Sequence, residues 1–157
     1  HFFPDEERMF PIYRKIAEAG LIAVFHGGWD PFGDSDIRCT PERMARAIEK
    51  VPELNFVVAH LGGINVWDDV EKYLAGKFNN LWLDVSVIAS FNIDENQLAR
   101  IISTHGTDKI LFGSDCPWDN PANEINMINR LSLSNEDKEK IFFKNAHKLL
   151  GIHKNKS

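Results

Sequence analysis

The feature that most constrains this chain is a short apolar segment that occurs four times, each time followed by residues with helical spacing. The four segments are Leu21 to Phe25, Asn55 to Ala59, Leu81 to Leu83 and Lys109 to Phe112. Their apolar residues are continuous rather than alternating, which is typical of parallel strands covered on both faces. Because strand and helix alternate, we predict a parallel sheet in an α/β fold, built as one domain over residues 1–157.

The segments between the strands have the spacing and the end signals of helices. Apolar residues recur every three or four positions from Pro4 to Ala19, and Gly20 then ends that segment. Thr40 is a good N-cap and Pro41 suits the first helical position, so a second helix is predicted to run to Lys50. Further helices are predicted at Trp67 to Leu74, Gln97 to His105, Asn123 to Leu131, after Ser134, and at Asn145 to Leu150.

Composition argues against several classes of function. With 43% hydrophobic and 26% charged residues the chain has the balance of a globular domain, and no apolar run approaches the roughly 18 residues that span a bilayer. The net charge of −5 comes without a basic stripe, so we expect neither a membrane nor a nucleic-acid partner. Cys39 and Cys116 lack the spacing of a metal or redox motif, which favours a reducing, cytoplasmic location.

Each predicted strand leads to a polar side chain at its carboxyl end. These side chains are His26, His60, Asp84 and Asp115. In parallel α/β folds, ligands bind beyond the carboxyl ends of the strands. Imidazole is a good zinc ligand, and a carboxylate can hold a metal and take a proton from its water. We therefore predict a site for one divalent metal ion, with zinc as first choice, held by His26, His60 and Asp115.

Simpler interpretations exist for each of these residues. A single histidine after a strand is more often structural than a ligand, but recurrence at successive strand ends favours the ligand interpretation for His26 and His60. Asp115 would otherwise be a turn or cap residue beside Pro117. Asp84 is left with two alternatives, a cap for the following helix or a residue that contacts a metal ligand.

Two further features of the predicted rim also stay open. Gly27-Gly28 and Gly62-Gly63 closely follow the two histidines, where they allow close approach to a ligand or form ordinary turns. The aromatic residues Trp29, Phe32 and Trp118 follow strand ends, where they line a pocket or cover the barrel rim, and the rim is the simpler interpretation.

Four segments of the chain together resemble a known family. They are Val24 to Gly28, Ala59 to Gly63, Ile110 to Trp118 and Asn145 to Gly151. Taken together, they resemble the amidohydrolase-2 branch of the amidohydrolase superfamily. That branch contains TIM-barrel hydrolases and the decarboxylases related to aminocarboxymuconate semialdehyde decarboxylase.

This resemblance implies the C-terminal half of a (β/α)8 TIM barrel, with strands 5 to 8 and their helices. It implies that His26 ligates the metal, and that His60 is a ligand or the acid/base. It also implies that Asp115 ligates the metal and accepts the proton of its water, which makes Asp115 and His60 the catalytic residues. Asp84 matches no invariant position of the family. The family's strand 1 His-x-His pair is not found in this sequence, so a lower metal affinity is expected, and with it an inactive segment as one outcome.

The expected activity is hydrolysis of a C–N or C–O bond in a small-molecule substrate, with water activated on one divalent metal. Non-oxidative decarboxylation on the same residues is an alternative. A second alternative is a non-catalytic half-barrel that associates with itself. Since half a barrel has two open sheet edges, a homo-oligomer is expected.

Overall fold

Four strands alternate with helices along the chain in the order that the sequence predicts. The computed structural model describes residues 2–33 and 36–152. The strands are β1 (Ile22–Phe25), β2 (Asn55–Val58), β3 (Leu81–Asp84) and β4 (Ile110–Leu111). The α-helices are α1 (Phe10–Glu18), α2 (Pro41–Lys50), α3 (Trp67–Tyr73), α4 (Glu95–His105), α5 (Pro121–Arg130), α6 (Asn135–Glu139) and α7 (Asn145–Leu149). Short 3-10 turns occur at Glu7–Met9, His60–Gly62 and Thr107–Lys109, and a π-helical turn at Lys140–Lys144 joins α6 to α7.

The strands form one parallel sheet in the order β1-β2-β3-β4. Val24 pairs with Val57, which pairs with Trp82, so the first three strands end at the same level. The carboxyl ends therefore share one edge of the sheet, where the sequence places its polar side chains. The predicted parallel α/β fold is confirmed.

The helices cover one face of the sheet and build the main core. The sheet contributes buried apolar side chains to this core, including Phe56, Val58 and Leu83. The helices α2 to α5 contribute others, among them Met44, Ile48, Val70, Leu98 and Met127. The N-cap of α2 forms as predicted, since the Thr40 hydroxyl accepts the Arg43 amide at 3.3 Å. Burial of this apolar surface is the main favourable contribution to folding.

The other face of the sheet is covered only in part. Val57, Trp82 and Leu111 form a small buried cluster, with Ala146 and Leu149 of α7 packed against it. Val24 lies on the same face but keeps 68% of its surface exposed. The expectation that β1 is covered on both faces is therefore wrong for Val24, because α7 covers this face at Val57, Trp82 and Leu111 but not at Val24.

The outer edge of β4 is covered by the chain itself. The Phe112 amide donates to the Ile141 carbonyl at 2.9 Å, and the Asn145 side chain donates to the carbonyls of Thr107 and Ile110 at 2.7 Å each. Ile141 lies in the π-helical turn, and Asn145 begins α7. The two helices predicted separately after Ser134 are thus one continuous helical segment that lies against β4.

Within the described residues, no helix combines the length and the apolar character needed to cross a bilayer.

Candidate functional site

The adjacent strands β1 and β2 bring two histidines into contact. His26 directly follows β1 and His60 lies two residues beyond β2. Their rings meet with centroids 4.6 Å apart at 66°. Nδ1 of His26 lies 3.0 Å from Nε2 of His60. The two imidazoles predicted from strand ends 34 residues apart therefore form a pair.

Glycines after β1 allow the two histidine loops to touch. Ile64 donates to the Gly27 carbonyl at 2.9 Å, and Trp29 donates to the Ile64 carbonyl at 3.0 Å. A Cβ on Gly27 would lie 2.6 Å from the Ala59 carbonyl oxygen, and one on Gly28 would lie 2.3 Å from the Ile64 nitrogen. Gly28 also has a φ of +84°, which L residues rarely adopt. Close approach of backbone to backbone therefore explains this glycine pair.

The imidazole of His60 is buried and fixed at both nitrogens. Its side chain is 4% exposed. Nδ1 lies 3.1 Å from the Ser86 carbonyl oxygen and 3.0 Å from the Ser86 hydroxyl. Burial lowers the pKa of His60, the hydrogen bond to the Ser86 backbone acts in the opposite direction, and His26 lowers the pKa further. A neutral imidazole is the form that binds a metal.

Asp84 connects His60 to Ser86. Its Oδ1 accepts the backbone amide of His60 at 3.2 Å, the amide of Ser86 at 2.9 Å and the Ser86 hydroxyl. Of the two alternatives for Asp84, contact with a predicted ligand is therefore what the structure shows. The following helix, α4, is capped instead by Asp94, which accepts the Gln97 amide at 2.9 Å.

Ser86 is a site residue that the sequence reasoning missed. It lies two residues beyond a strand-end carboxylate, and the Asp-x-Ser spacing after the third strand is the signal that would have found it. The next residue, Val87, has a φ of +59°. Such a φ value is rare for a β-branched residue, and strained backbone conformations of this kind are frequent at functional sites.

Asp115 lies at the same cavity as the two histidines, but farther from its strand. It is four residues beyond Leu111, is exposed, and has a φ of +59°. With His26 and His60 it lines a cavity of about 440 Å³. Nevertheless, across residues 2–33 and 36–152, no three His, Cys, Asp or Glu side chains are close enough together to hold one ion. The structure thus pairs the histidines and places Asp115 on the same cavity, and the roles of all three residues as metal ligands stay predictions.

Aromatic side chains form one wall of this cavity. Phe32 and Trp118 both line it and lie against each other, with ring centroids 4.8 Å apart. Phe91 also lines the cavity and contacts Trp29 edge to face at 6.1 Å. Phe32 and Trp118 are 76% and 66% exposed, so they line the cavity from its rim.

The spacing of the two histidine nitrogens is close to what a divalent metal requires. Two nitrogens on one tetrahedral zinc, at bonds of 2.0–2.1 Å, lie about 3.3 Å apart. The facing nitrogens of His26 and His60 are 3.0 Å apart, so small side-chain shifts would suffice. Nε2 of His26 lies 3.1 Å from the Trp29 carbonyl oxygen, as expected for an oriented imidazole ligand. The two imidazoles fit a divalent ion by their chemistry and their spacing, and the carboxylate of Asp115 fits it by its chemistry alone.

Parallel strands whose carboxyl ends surround a cavity with polar side chains define this chain as part of a (β/α)8 barrel. The chain belongs to the amidohydrolase family, whose model matches residues 1–152. A comparison with curated proteins found no match.

Several solved TIM-barrel structures resemble the chain. An uncharacterized TIM-barrel protein from Bordetella bronchiseptica is 22% identical with a TM-score of 0.80, over 96% of this chain and 52% of that one. A 2,6-dihydroxybenzoate decarboxylase from Rhizobium is 19% identical with a TM-score of 0.70, over 95% and 57%. A dihydroxybenzoic acid decarboxylase from Polaromonas sp. JS666, with bound manganese and the inhibitor 2-nitroresorcinol, is 19% identical with a TM-score of 0.69, over 95% and 55%.

These likenesses show the fold. The chain spans about half the length of the structures that it resembles. The prediction that the chain forms part of a TIM barrel is therefore confirmed, and its assignment to the C-terminal half stays a prediction.

Proposed function

We propose that this chain supplies the strand 5 to strand 8 half of a metal-dependent hydrolase site, in which His26, His60 and Asp115 hold one divalent ion. The observation that carries the proposal is the contact between His26 and His60 on a cavity that Asp115 also lines. Membership of the amidohydrolase family supports it. Zinc is the first choice, because it accepts nitrogen and carboxylate ligands together.

The reaction we propose is hydrolysis of a C–N or C–O bond in a small molecule. A bound divalent ion acts as a Lewis acid and makes water acidic near neutral pH. His60 offers Nε2 to the cavity side, and the exposed carboxylate of Asp115 is suited to accept a proton from the attacking water. The cavity of about 440 Å³ has the size of a small-molecule site.

A second candidate reaction is non-oxidative decarboxylation of an aromatic acid. The Phe32 and Trp118 rings, which contact each other at an interplanar angle of 43° beside the cavity, favour it, because aromatic side chains bind flat apolar rings. Two of the similar structures are decarboxylases of dihydroxybenzoic acids.

Titration calorimetry of the purified chain with Zn²⁺, and separately with Mn²⁺, tests the metal site. We expect one ion per chain, and at least a tenfold loss of affinity in His26→Ala and in Asp115→Ala, since each removes a ligand. His147→Ala is the matched control, because His147 contacts Phe143 on the C-terminal helical segment, away from the cavity. Equal binding by all four proteins, or none by the unsubstituted chain, would contradict the metal site.

The two reactions are separated by their products. Incubation of the metal-loaded chain with 2,6-dihydroxybenzoate and detection of released CO₂ tests decarboxylation. Incubation with esters and amides of 2,6-dihydroxybenzoic acid tests hydrolysis, which is measured by the appearance of the free acid. Release of CO₂ without ester or amide cleavage would overturn the leading proposal in favour of the second.

A further inference from the structure

Two loops that line the cavity are joined to each other by a polar contact. The loop after β3 carries Ser90 and Phe91, and the loop after β4 carries Trp118 and Asp119. Ser90, Phe91 and Trp118 all line the cavity. The Ser90 hydroxyl donates to Oδ2 of Asp119 at 2.6 Å. The contact therefore joins the chain neighbours of two aromatic residues on the cavity wall.

Asp119 accepts hydrogen bonds on both of its carboxylate oxygens. Besides the bond from Ser90, its Oδ1 accepts the Asn120 backbone amide and the Asn123 side-chain amide, each at 2.6 Å. Burial acts to raise the pKa of Asp119, but the hydrogen bonds from Ser90, Asn120 and Asn123 outweigh burial and lower it. Asp119 is therefore the ionised member of a pair that it forms with a second carboxyl group.

Glu124 is this second carboxyl group. It is fully buried in α5, and its Oε1 accepts the Ala89 amide of the loop after β3 at 3.4 Å. Its Oε2 is buried, and no described residue donates to it. Asp119 lies within hydrogen-bond reach of Glu124 but offers only an acceptor. Two carboxyl groups share a hydrogen bond only when one keeps its proton, and the buried Glu124 is the one that keeps it.

We propose that Asp119 and Glu124 are positioning residues for the aromatic wall of the cavity. The protonated Glu124 donates to Asp119, and Asp119 in turn holds Ser90. The aromatic neighbours Phe91 and Trp118 thereby keep their places on the wall. This inference rests on the proposed function for the use of that wall by a ligand. It concerns the position of the two loops, and therefore holds for the chain without metal or ligand.

The aromatic contacts link both loops to a third. Phe91 lies edge to face against Trp29 at 6.1 Å, and Trp118 contacts Phe32 at 4.8 Å. Trp29 and Phe32 both belong to the loop after β1. Because Trp118 is largely exposed, burial alone does not hold it in place. The polar contact between the other two loops therefore decides whether Trp118 stays beside Phe32.

Fluorine NMR of the metal-free chain tests the inference. The four tryptophans are replaced by 5-fluorotryptophan, and the Trp118 resonance is assigned by its loss in Trp118→Phe. Trp82 is the internal reference, because it is buried against the sheet. Spectra are recorded at pH 6, below the pKa of Glu124 of about 7. In Glu124→Ala and in Ser90→Ala, we expect the Trp118 resonance to move towards that of 5-fluorotryptophan in water, and the Trp82 resonance to stay unchanged.

Two further variants separate positioning from a general loss of packing. Glu124→Gln keeps the size of the side chain, and its amide donates to Asp119 as the protonated acid does, so we expect the wild-type Trp118 resonance. Ser103→Ala is the matched control for Ser90→Ala, because Ser103 is exposed on α4, away from the cavity. An unchanged Trp118 resonance in Ser90→Ala would overturn the inference, and this exposed substitution leaves the core intact. A displaced resonance in Glu124→Gln would overturn it as well.

Binding of a flat probe gives a second readout. The metal-loaded chain is titrated with 2,6-dihydroxybenzoate, and we expect binding to be about threefold weaker or more in Ser90→Ala, with wild-type affinity in Glu124→Gln and Ser103→Ala. A displaced Trp118 resonance in Ser90→Ala, with no binding of this probe by the unsubstituted chain, would support the positioning role and contradict the second candidate reaction. Weaker binding with an unchanged Trp118 resonance would overturn the positioning role and leave the use of the cavity supported.

Discussion

Nδ1 of His26 lies 3.0 Å from Nε2 of His60, although the two residues are 34 positions apart in the chain. The contact follows from the register of β1 and β2, in which Phe25 pairs with Val58. The backbone bonds between the loops after the two strands hold it in place. The candidate site therefore depends on how closely these two loops approach each other.

Substitution of Gly28 should prevent the loops after β1 and β2 from lying this close together. Gly28→Ala would place a Cβ 2.3 Å from the Ile64 nitrogen at a φ of +84°, so we expect a loss of about 3 kcal/mol or more in the free energy of unfolding. Gly20→Ala is the matched control, since Gly20 also has a positive φ, of +67°, but open space around it. There we expect a loss of only about 1 kcal/mol. Urea denaturation measures both, and equal losses would refute a packing role for Gly28.

His105 should make stability depend on pH. Burial lowers its pKa from 6.5 to about 4 in the folded chain, so the unfolded chain binds the proton more readily. The contribution of His105 to the free energy of unfolding is therefore fully present above pH 6.5. It is lost as the pH falls from 6.5 towards 4, and the loss amounts to up to about 3 kcal/mol.

The variant His105→Asn tests this contribution. Nδ1 of His105 accepts the Gly76 amide at 3.3 Å, and an asparagine oxygen can take over that bond. We expect the loss of stability between pH 6.5 and pH 4.5 to be smaller in the variant than in the wild type. Thermal unfolding at several pH values measures this difference, and parallel curves would show that His105 does not contribute.

Glu124 should also make the stability depend on pH, but with the opposite sign to His105. It is fully buried in the first turn of α5, and burial raises its pKa to about 7. For an acid with a raised pKa, stability falls as pH rises from 4.5 to 7. Glu124→Gln should therefore stabilise the chain at pH 8, by about 1–3 kcal/mol, and leave it nearly unchanged at pH 4. Glu95→Gln, which removes an exposed ion pair with Arg130, should have little effect at pH 8. A stabilising effect of equal size at both pH values would argue against a titrating Glu124.

The open edge at β1 leads us to predict a homo-oligomer. Val24 is 68% exposed on this edge strand, and Leu21 just before it is 62% exposed. Exposed apolar edge strands associate, and a lysine on such a strand opposes association. Val24→Lys should therefore shift the molar mass measured by light scattering towards the monomer. A monomeric wild type would refute the prediction.

Much of the fold could be predicted from the sequence because each strand is apolar over its whole length and ends at a polar residue. The bounds of α2 were predictable from Thr40 and Pro41, which leave few other places for a helix to begin. The short length of β4 could not be predicted, because Lys109 belongs to a 3-10 turn that apolar periodicity does not reveal. The exposure of Val24 depends on which strand is at the edge, and a local pattern carries no such information.

The site was predictable to a similar extent. His26 and His60 could be found because each follows its strand within two residues. Ser86 was missed because the search for polar residues stopped at the strand end, Asp84, and its contact with His60 uses a backbone carbonyl that no side-chain pattern reveals. The distance of Asp115 from the histidines depends on a four-residue extension after Leu111, which strand-end counting treats as part of the strand.

The hydrogen bonds that Asn145 and Phe112 donate at the β4 edge make the two edges of the sheet different. Another strand can be added beside β1, whereas addition beside β4 first requires the C-terminal helical segment to detach. The sheet of residues 2–33 and 36–152 thus has one edge that accepts a strand, and once that edge is paired none is left. Association through the sheet should therefore stop at a closed pair rather than continue into a fibril.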